Sequence, residues 1–150
     1  MRRVDQCVFC DQESLKPQLV YEDKLWLIIF ARRPLALGHV MVIPKMHFLD
    51  LKDLGAEELA TIGIIIQKAS TALSSAFQAS GINIFTNIGK SAGQSIPHFH
   101  IHIITRFDDE LISPFQIFNS SEDYKKLPRL TEKELLKRVE ISKSRFINNS

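Results

Sequence analysis

Apolar and polar positions alternate over several short stretches of this chain and recur at steps of three and four over one long stretch, a pattern that predicts strands around one principal helix. Leu19-Val20-Tyr21 and Leu25 to Phe30, separated by Glu22-Asp23-Lys24, predict a hairpin whose second strand ends at Ala31-Arg32-Arg33-Pro34. Gly38 marks a turn, and His39 to Ile43 predicts a third strand closed by Pro44. From about Ala56 to Ala79, Leu59, Ile62, Ile66, Ala69, Leu73 and Ala76 predict the apolar face of a helix. Glu57 and Glu58 suit the positive end of its dipole, and Gly81 is its expected stop. Ile82 to Asn87 alternates as a fourth strand, a loop from Ile88 to Gln94 follows, and His98 to Ile103 alternates as a fifth. Beyond Arg106 the chain is irregular through Asp108-Asp109-Glu110 and Pro114. Thr131 and Glu134 then suit a capping box opening a last helix, with Leu135, Val139 and Phe146 on one face. Ahead of all this, Cys7-Val8-Phe9-Cys10 is followed by a polar connector from Asp11 to Gln18. The expected fold class is α+β, an antiparallel sheet of about five strands with one long helix and a C-terminal helical extension. Residues 1–106 form the expected main domain, with 107–150 an extension of it or packed on it.

Composition narrows the classes. A chain of 150 residues with 24% charged and 45% apolar residues is most simply one globular domain with an ordinary core. The net charge of +2 is small and the basic residues are scattered among acids, so no extended nucleic-acid groove is expected. The apolar run around Ile62 to Ile66 is far too short to span a bilayer. Met1-Arg2-Arg3 is followed at once by Asp5 and Gln6 instead of an apolar targeting core, which makes a soluble, cytoplasmic protein the expectation. The two cysteines form no disulfide framework and point to metal or redox chemistry.

The candidate chemistry concentrates in Gly93 to Arg106, which holds three of the five histidines as His98, His100 and His102, alternating with Phe99, Ile101 and Ile103. On a strand this alternation puts three imidazoles on one face, with neighbouring Cα atoms roughly 6.5 to 7 Å apart. Buried imidazoles need partners for both ring nitrogens, so three on one face are a poor choice for packing alone. Two functional readings stand side by side: ligands of a catalytic zinc with an open position, or a neutral imidazole nucleophile flanked by donors. Cys7 and Cys10 likewise read as zinc ligands, a redox pair or small buried hydrophobes. The redox reading lacks the preceding strand and following helix of such a site.

Asn87, Gly89, Ala92-Gly93-Gln94-Ser95, the alternating histidines and Arg106, together with Gly38-His39, Ile43-Pro44-Lys45 and His47, resemble the histidine triad superfamily of nucleotidyl hydrolases and transferases. The resemblance covers residues 7 to 106 and implies a histidine-triad (HIT-like) fold for them. It implies that His100 is the nucleophile at an α-phosphate, that His102 and His39 border the phosphate, and that Ser95 assists the leaving group. Asn87 and backbone groups around Gln94 would hold phosphate oxygens. The histidine at position 102 is similar to the hydrolase branches, since the transferase branches carry glutamine there. Members with an N-terminal C-x-x-C bind zinc, which implies Cys7, Cys10, His47 and His98 as a closed structural Cys₂His₂ site.

The resemblance also implies a homodimer that acts on a small-molecule nucleotide, either a dinucleoside polyphosphate or a nucleoside phosphoramidate. In the first case Lys90 or Arg106 would assist an anionic leaving group. Val8, Phe9 and Ile29 are assigned to an apolar base pocket. The position that usually carries an acidic or amide ribose ligand is Ala31, so Arg32, Arg33 or backbone must replace it, or the substrate is not a conventional ribonucleotide. Two alternatives follow: a nucleotide-binding regulatory protein with little turnover, and a zinc-dependent hydrolase that uses the triad as ligands.

Overall fold

A computed structural model describes residues 6–110 and 125–147, so the expectations at Met1–Arg3, Asp5 and Pro114 lie outside the described residues. Its framework is an antiparallel sheet of β1 (Leu19–Glu22), β2 (Trp26–Phe30), β3 (His39–Pro44), β4 (Gly81–Phe85) and β5 (Ile101–Arg106), in the order β1-β2-β3-β5-β4. Among the described residues three helices accompany it: α1 (Gln12–Leu15), α2 (Ala56–Phe77) and α3 (Glu132–Ile147). This is the expected α+β class. The polar connector is more ordered than its composition predicts, because Leu15 and Gln18 are buried and α1 continues into a 3₁₀ turn over Lys16–Gln18.

The β1–β2 hairpin closes on Asp23, whose carboxylate accepts from the backbone N–H of Leu25 and of Trp26, both at 2.8 Å. Alternation then assigns two faces. Trp26, Ile28 and Phe30 of β2, Val40 and Val42 of β3, and Ile101 and Ile103 of β5 share one core with α2 and α3. Leu27, Ile29, Met41 and Ile43 face the other way and pack with Cys7, Phe9, Leu15 and Ala31 from the N-terminal side and the β2 end.

Two boundaries and part of one helix face differ from expectation. Helix α2 stops at Gln78, which takes the left-handed conformation (φ 55°, ψ 42°) and returns its N–H to Ser74 O, so Gly81 opens β4 instead of ending the helix. The buried face of α2 runs through Ile65, Ala69, Ala72 and Leu73, while Leu59 is 52% exposed. Apolar residues occur all round this helix, so its period alone does not choose the face. β4 ends at Phe85, leaving Asn87 in the loop.

α3 begins as its capping box predicts. Glu134 N–H donates to Thr131 Oγ1 at 3.2 Å, and Thr131 N–H donates back to Glu134 Oε2 at 2.9 Å. Leu135, Val139 and Phe146 are buried in the same core as α2 and the helix-facing side of the sheet, and Phe146 stacks on Tyr21 of β1. No described helix is long and apolar enough to cross a membrane.

Candidate active site

The pairing of β3 with β5 sets Met41 opposite His102 and His39 opposite Ile104, so the His39 and His102 side chains leave the sheet on its N-terminal side. The β5 ladder starts only at Ile101, not at His98 as the alternation predicts. In the extended approach to it, Phe99 N–H donates to Phe48 O at 2.6 Å and Thr86 Oγ1 donates to His100 O at 2.6 Å. These bonds outside the ladder keep the alternation intact. Phe99 enters the helix-side core, while His98 and His100 stay on the side of His102.

Backbone groups fix where the ring protons sit, because a carbonyl only accepts and an amide N–H only donates. His100 Nδ1 lies 2.7 Å from His98 O and must donate to it, which leaves the Nε2 lone pair free. Leu35 N–H donates to His39 Nδ1 at 3.1 Å, so His39 carries its proton on Nε2. That nitrogen lies 3.0 Å from His102 Nδ1, which must accept and thereby keeps the His102 proton on Nε2. Phe85 stacks on the His102 ring at 4.8 Å between centroids and 17° between planes, and His100 meets the same ring edge-on at 4.9 Å.

Burial keeps these rings neutral. It lowers the His39 pKa to about 3, helped by the proximity of His100. Desolvation also lowers His100, against the opposing hydrogen bond to His98 O, and it lowers His102 well below its ordinary value with help from His39 and His100. The result is one imidazole with an unprotonated Nε2 beside another that carries its proton on Nε2, the protonation states that a neutral nucleophile and a neighbouring donor would require.

The second cluster is a metal-donor set. Ligand atoms of Cys7, Cys10, His47 and His98 all lie within 4.8 Å of one another, the one such group among the described residues. His98 Nε2 donates to Pro44 O at 2.9 Å, which leaves Nδ1 deprotonated and aimed at the sulfurs. The distances from Cys7 Sγ to His98 Nδ1 (3.4 Å), Cys10 Sγ to His47 Nδ1 (3.2 Å) and Cys10 Sγ to His98 Nδ1 (3.7 Å) bracket the S···N edge of about 3.6 Å expected for tetrahedral zinc. The donor set therefore fits such an ion, and neither sulfur is in a disulfide.

The remaining expected site residues are placed less uniformly. Gln94 Oε1 accepts from Gly89 N–H at 2.8 Å, and its Nε2 donates to Leu49 O at 3.2 Å, so this side chain braces the loop that also carries the exposed Ser95. Asn87 is half-buried beside Gly93, where an added Cβ would stand 3.6 Å from Asn87 Nδ2. Phe9 and Ile29 come together in the apolar cluster, and Phe9 meets His100 edge-on at 5.3 Å, whereas Val8 remains exposed. Ala31 is fully buried. Arg32 and Arg33 turn to Glu132 and Leu127 O instead of the histidines, and Arg106 is ion-paired with Glu110. Phe85, Leu35 N–H and Pro44 O carry no signal in the sequence, since strand register and loop closure alone bring them to the rings.

The sequence signature of the HIT domain matches residues 12–109. An uncharacterized HIT-like protein of Mycoplasma genitalium is 32% identical over 104 residues, covering 68% of this chain and 74% of that one. A bis(5'-adenosyl)-triphosphatase of Dictyostelium discoideum is 32% identical over 105 residues, 70% of each chain. Among solved structures, a hypothetical histidine triad nucleotide-binding protein of Sulfolobus tokodaii strain 7 superposes with a TM-score of 0.79 at 30% identity, covering 95% of this chain and 93% of that one. A zinc-bound histidine triad family protein of Mycobacterium smegmatis gives 0.75 at 27% identity, covering 96% and 95%.

Proposed function

Since this chain belongs to the HIT domain family, we propose that it is a nucleotide hydrolase that cleaves at the α-phosphate through a covalent nucleotidyl intermediate on His100. The observation that carries this reading is the proton placement: His98 O holds the His100 proton on Nδ1 and frees Nε2 for attack. The Dictyostelium relative, named as a dinucleoside triphosphatase, supports it. In the first step the His100 Nε2–P bond forms and the bond from phosphorus to the leaving group breaks, with Ser95 passing a proton to the departing atom. The His102 Nε2–H donates to a phosphoryl oxygen as charge develops, and Asn87 and the backbone around Gln94 hold the others. Water then attacks phosphorus and returns a proton to Ser95, the P–N bond breaks, and a nucleoside monophosphate leaves.

The substrate proposed is a dinucleoside polyphosphate or a nucleoside phosphoramidate, with its base on the Phe9 and Ile29 side. Ala31 offers no side-chain acceptor, and Arg32 and Arg33 point elsewhere, so ribose and deoxyribose nucleotides are expected to be handled alike. Cys7, Cys10, His47 and His98 would hold a structural zinc that ties the N-terminal segment to the strand carrying His100. A triad-ligated catalytic zinc requires His98, whose Nδ1 faces the cysteine sulfurs and whose Nε2 donates to Pro44 O, to leave both, which disfavours that alternative.

The partner proposed is a second copy, packed through the exposed Leu59 and Ile64 of α2 and Ile84 of the edge strand β4. A sedimentation profile of monomer alone at micromolar concentration would exclude that dimer.

The deciding experiment is a turnover panel of nucleotides with the wild type and His100→Asn, with mass spectrometry of quenched protein. A nucleotidyl adduct in the wild type and loss of turnover in the variant are expected. Equal activity with no adduct ends the hydrolase reading, and tight nucleoside monophosphate binding without turnover replaces it with a regulatory one.

A further inference from the structure

Residues 125–147 reach the loop between β2 and β3 at several points. Leu130 N–H donates to Arg32 O at 2.9 Å, and the Glu132 carboxylate pairs with the Arg32 guanidinium at 2.9 Å. Arg33 donates to Leu127 O, and Arg138 Nη1 donates to Leu37 O at 3.1 Å. The inner end of the same loop is gripped by the sheet. Gly38 N–H donates to Thr105 Oγ1 at 2.9 Å, and a Cβ on Gly38 would fall 2.7 Å from both Phe77 and Thr105. Between these two anchorages lies Leu35, whose N–H enters His39 Nδ1.

That one amide selects between two proton arrangements. With Leu35 N–H in place, His39 donates from Nε2 to His102 Nδ1 and His102 carries its own proton on Nε2. Without it, His39 is free to move its proton to Nδ1. Nε2 then becomes an acceptor, His102 must donate from Nδ1, and His102 Nε2 becomes a lone pair. Both rings are buried, so an unmatched pair of nitrogens is costly and they switch together.

We propose that Arg138, with Glu132 and the backbone of Leu127 and Leu130, are positioning residues: they hold the 32–37 loop so that Leu35 N–H sets the His39 tautomer and, through it, keeps the His102 proton on Nε2. The service of that proton to a phosphoryl oxygen rests on the hydrolase reading above; its placement does not. On this account the C-terminal segment is a working part of the histidine site.

Long-range ¹H–¹⁵N correlation spectra of the histidine-labelled full chain at neutral pH test it without substrate. The wild type is expected to show both His39 and His102 protonated on Nε2. Arg138→Met is expected to give mixed tautomers at both rings and a several-fold lower kcat at unchanged KM, and Arg138→Lys, which can still donate to Leu37 O, to restore both. Leu35→Pro removes the donor and is expected to give mixed tautomers at both rings more strongly than Arg138→Met, with a loss of up to about 10²-fold in kcat, the usual effect of deleting one such donor. If Leu35→Pro does not fold, the two Arg138 variants decide alone. His102 protonated on Nδ1 in the wild type, or wild-type tautomers in Arg138→Met, overturns the proposal. A wild type that turns over nothing ends the hydrolase reading and leaves the spectra to judge this one.

Discussion

The two faces of the sheet solve the same burial problem with opposite chemistry. On the helix side Trp26, Phe30, Val42, Phe99 and Ile103 meet Leu73 and Leu135, and the indole N–H of Trp26 is satisfied by Thr61 Oγ1 at 2.9 Å. On the N-terminal side His39, His98, His100 and His102 take up space that Leu27, Ile29 and Ile43 leave to them. Apolar contact is not directional, so the first face asks only for volume and fit. The second is held by directed bonds: His39 to His102, His98 to Pro44 O, His100 to His98 O. The difference teaches where stability and chemistry are separately encoded, even between adjacent residues of one strand.

Phe99 and His100 put that separation to its strongest test. Phe99 is 1% exposed on the helix side, and Phe99→Ala is expected to cost about 3–5 kcal/mol in urea denaturation. His100→Asn, one residue on, is expected to cost much less while removing the proposed nucleophile. Equal losses would mean that the two faces are not energetically distinct.

A smaller effect is expected at the metal-donor set, where a ligand that binds only the folded chain contributes about 2.7 kcal/mol at a hundredfold excess over its Kd. Metal analysis of the purified chain is expected to find zinc, and a chelator to lower its denaturation midpoint. A chain with both Cys7→Ser and Cys10→Ser should ignore the chelator. A wild type that contains no metal and does not respond breaks this half of the comparison.

The helix face was legible in the sequence because alternation and period record burial directly. β2, β3, the capping box at Thr131 and the apolar face of α3 follow from it. The fold class and the family resemblance were legible too. On α2 the period places Ile62, Ile66, Ala69 and Leu73 against the core as expected, but with apolar residues all round the helix it also assigns Leu59 to that face, where it is exposed, and passes over the buried Ile65. The histidine face was legible as residue types but not as geometry. Whether His98 reaches Cys7 or Leu35 N–H reaches His39 depends on contacts between residues far apart or on loop shape. Arg32 and Arg33, weighed as ribose ligands, are instead engaged by residues roughly a hundred positions later.

The smallest expected effect is also diagnostic of the histidine face, where the buried imidazoles lie. His39 is fully buried and its folded pKa is lowered to about 3, while in the unfolded chain it returns to 6.5. The unfolded state therefore binds the extra proton between these values, and the neutral ring's stabilising contribution is complete above pH 6.5 and lost as pH falls toward 3. One such group predicts a loss of about 1 kcal/mol between pH 7 and pH 5.5. Acid also releases metal from thiolate and imidazole ligands, so the measurement belongs in the Cys7→Ser, Cys10→Ser chain, by urea midpoints at the two pH values. His39→Gln in that background should reduce the pH-dependent loss while lowering stability at pH 7. The exposed carboxylates with lowered values, Asp50 and Glu134, ionise well below this range and leave it undisturbed. A stability that stays level from pH 7 to pH 5.5 would mean that His39 is not held as a buried neutral ring, and the proton order running from Leu35 through His39 to His102 would lose its starting point.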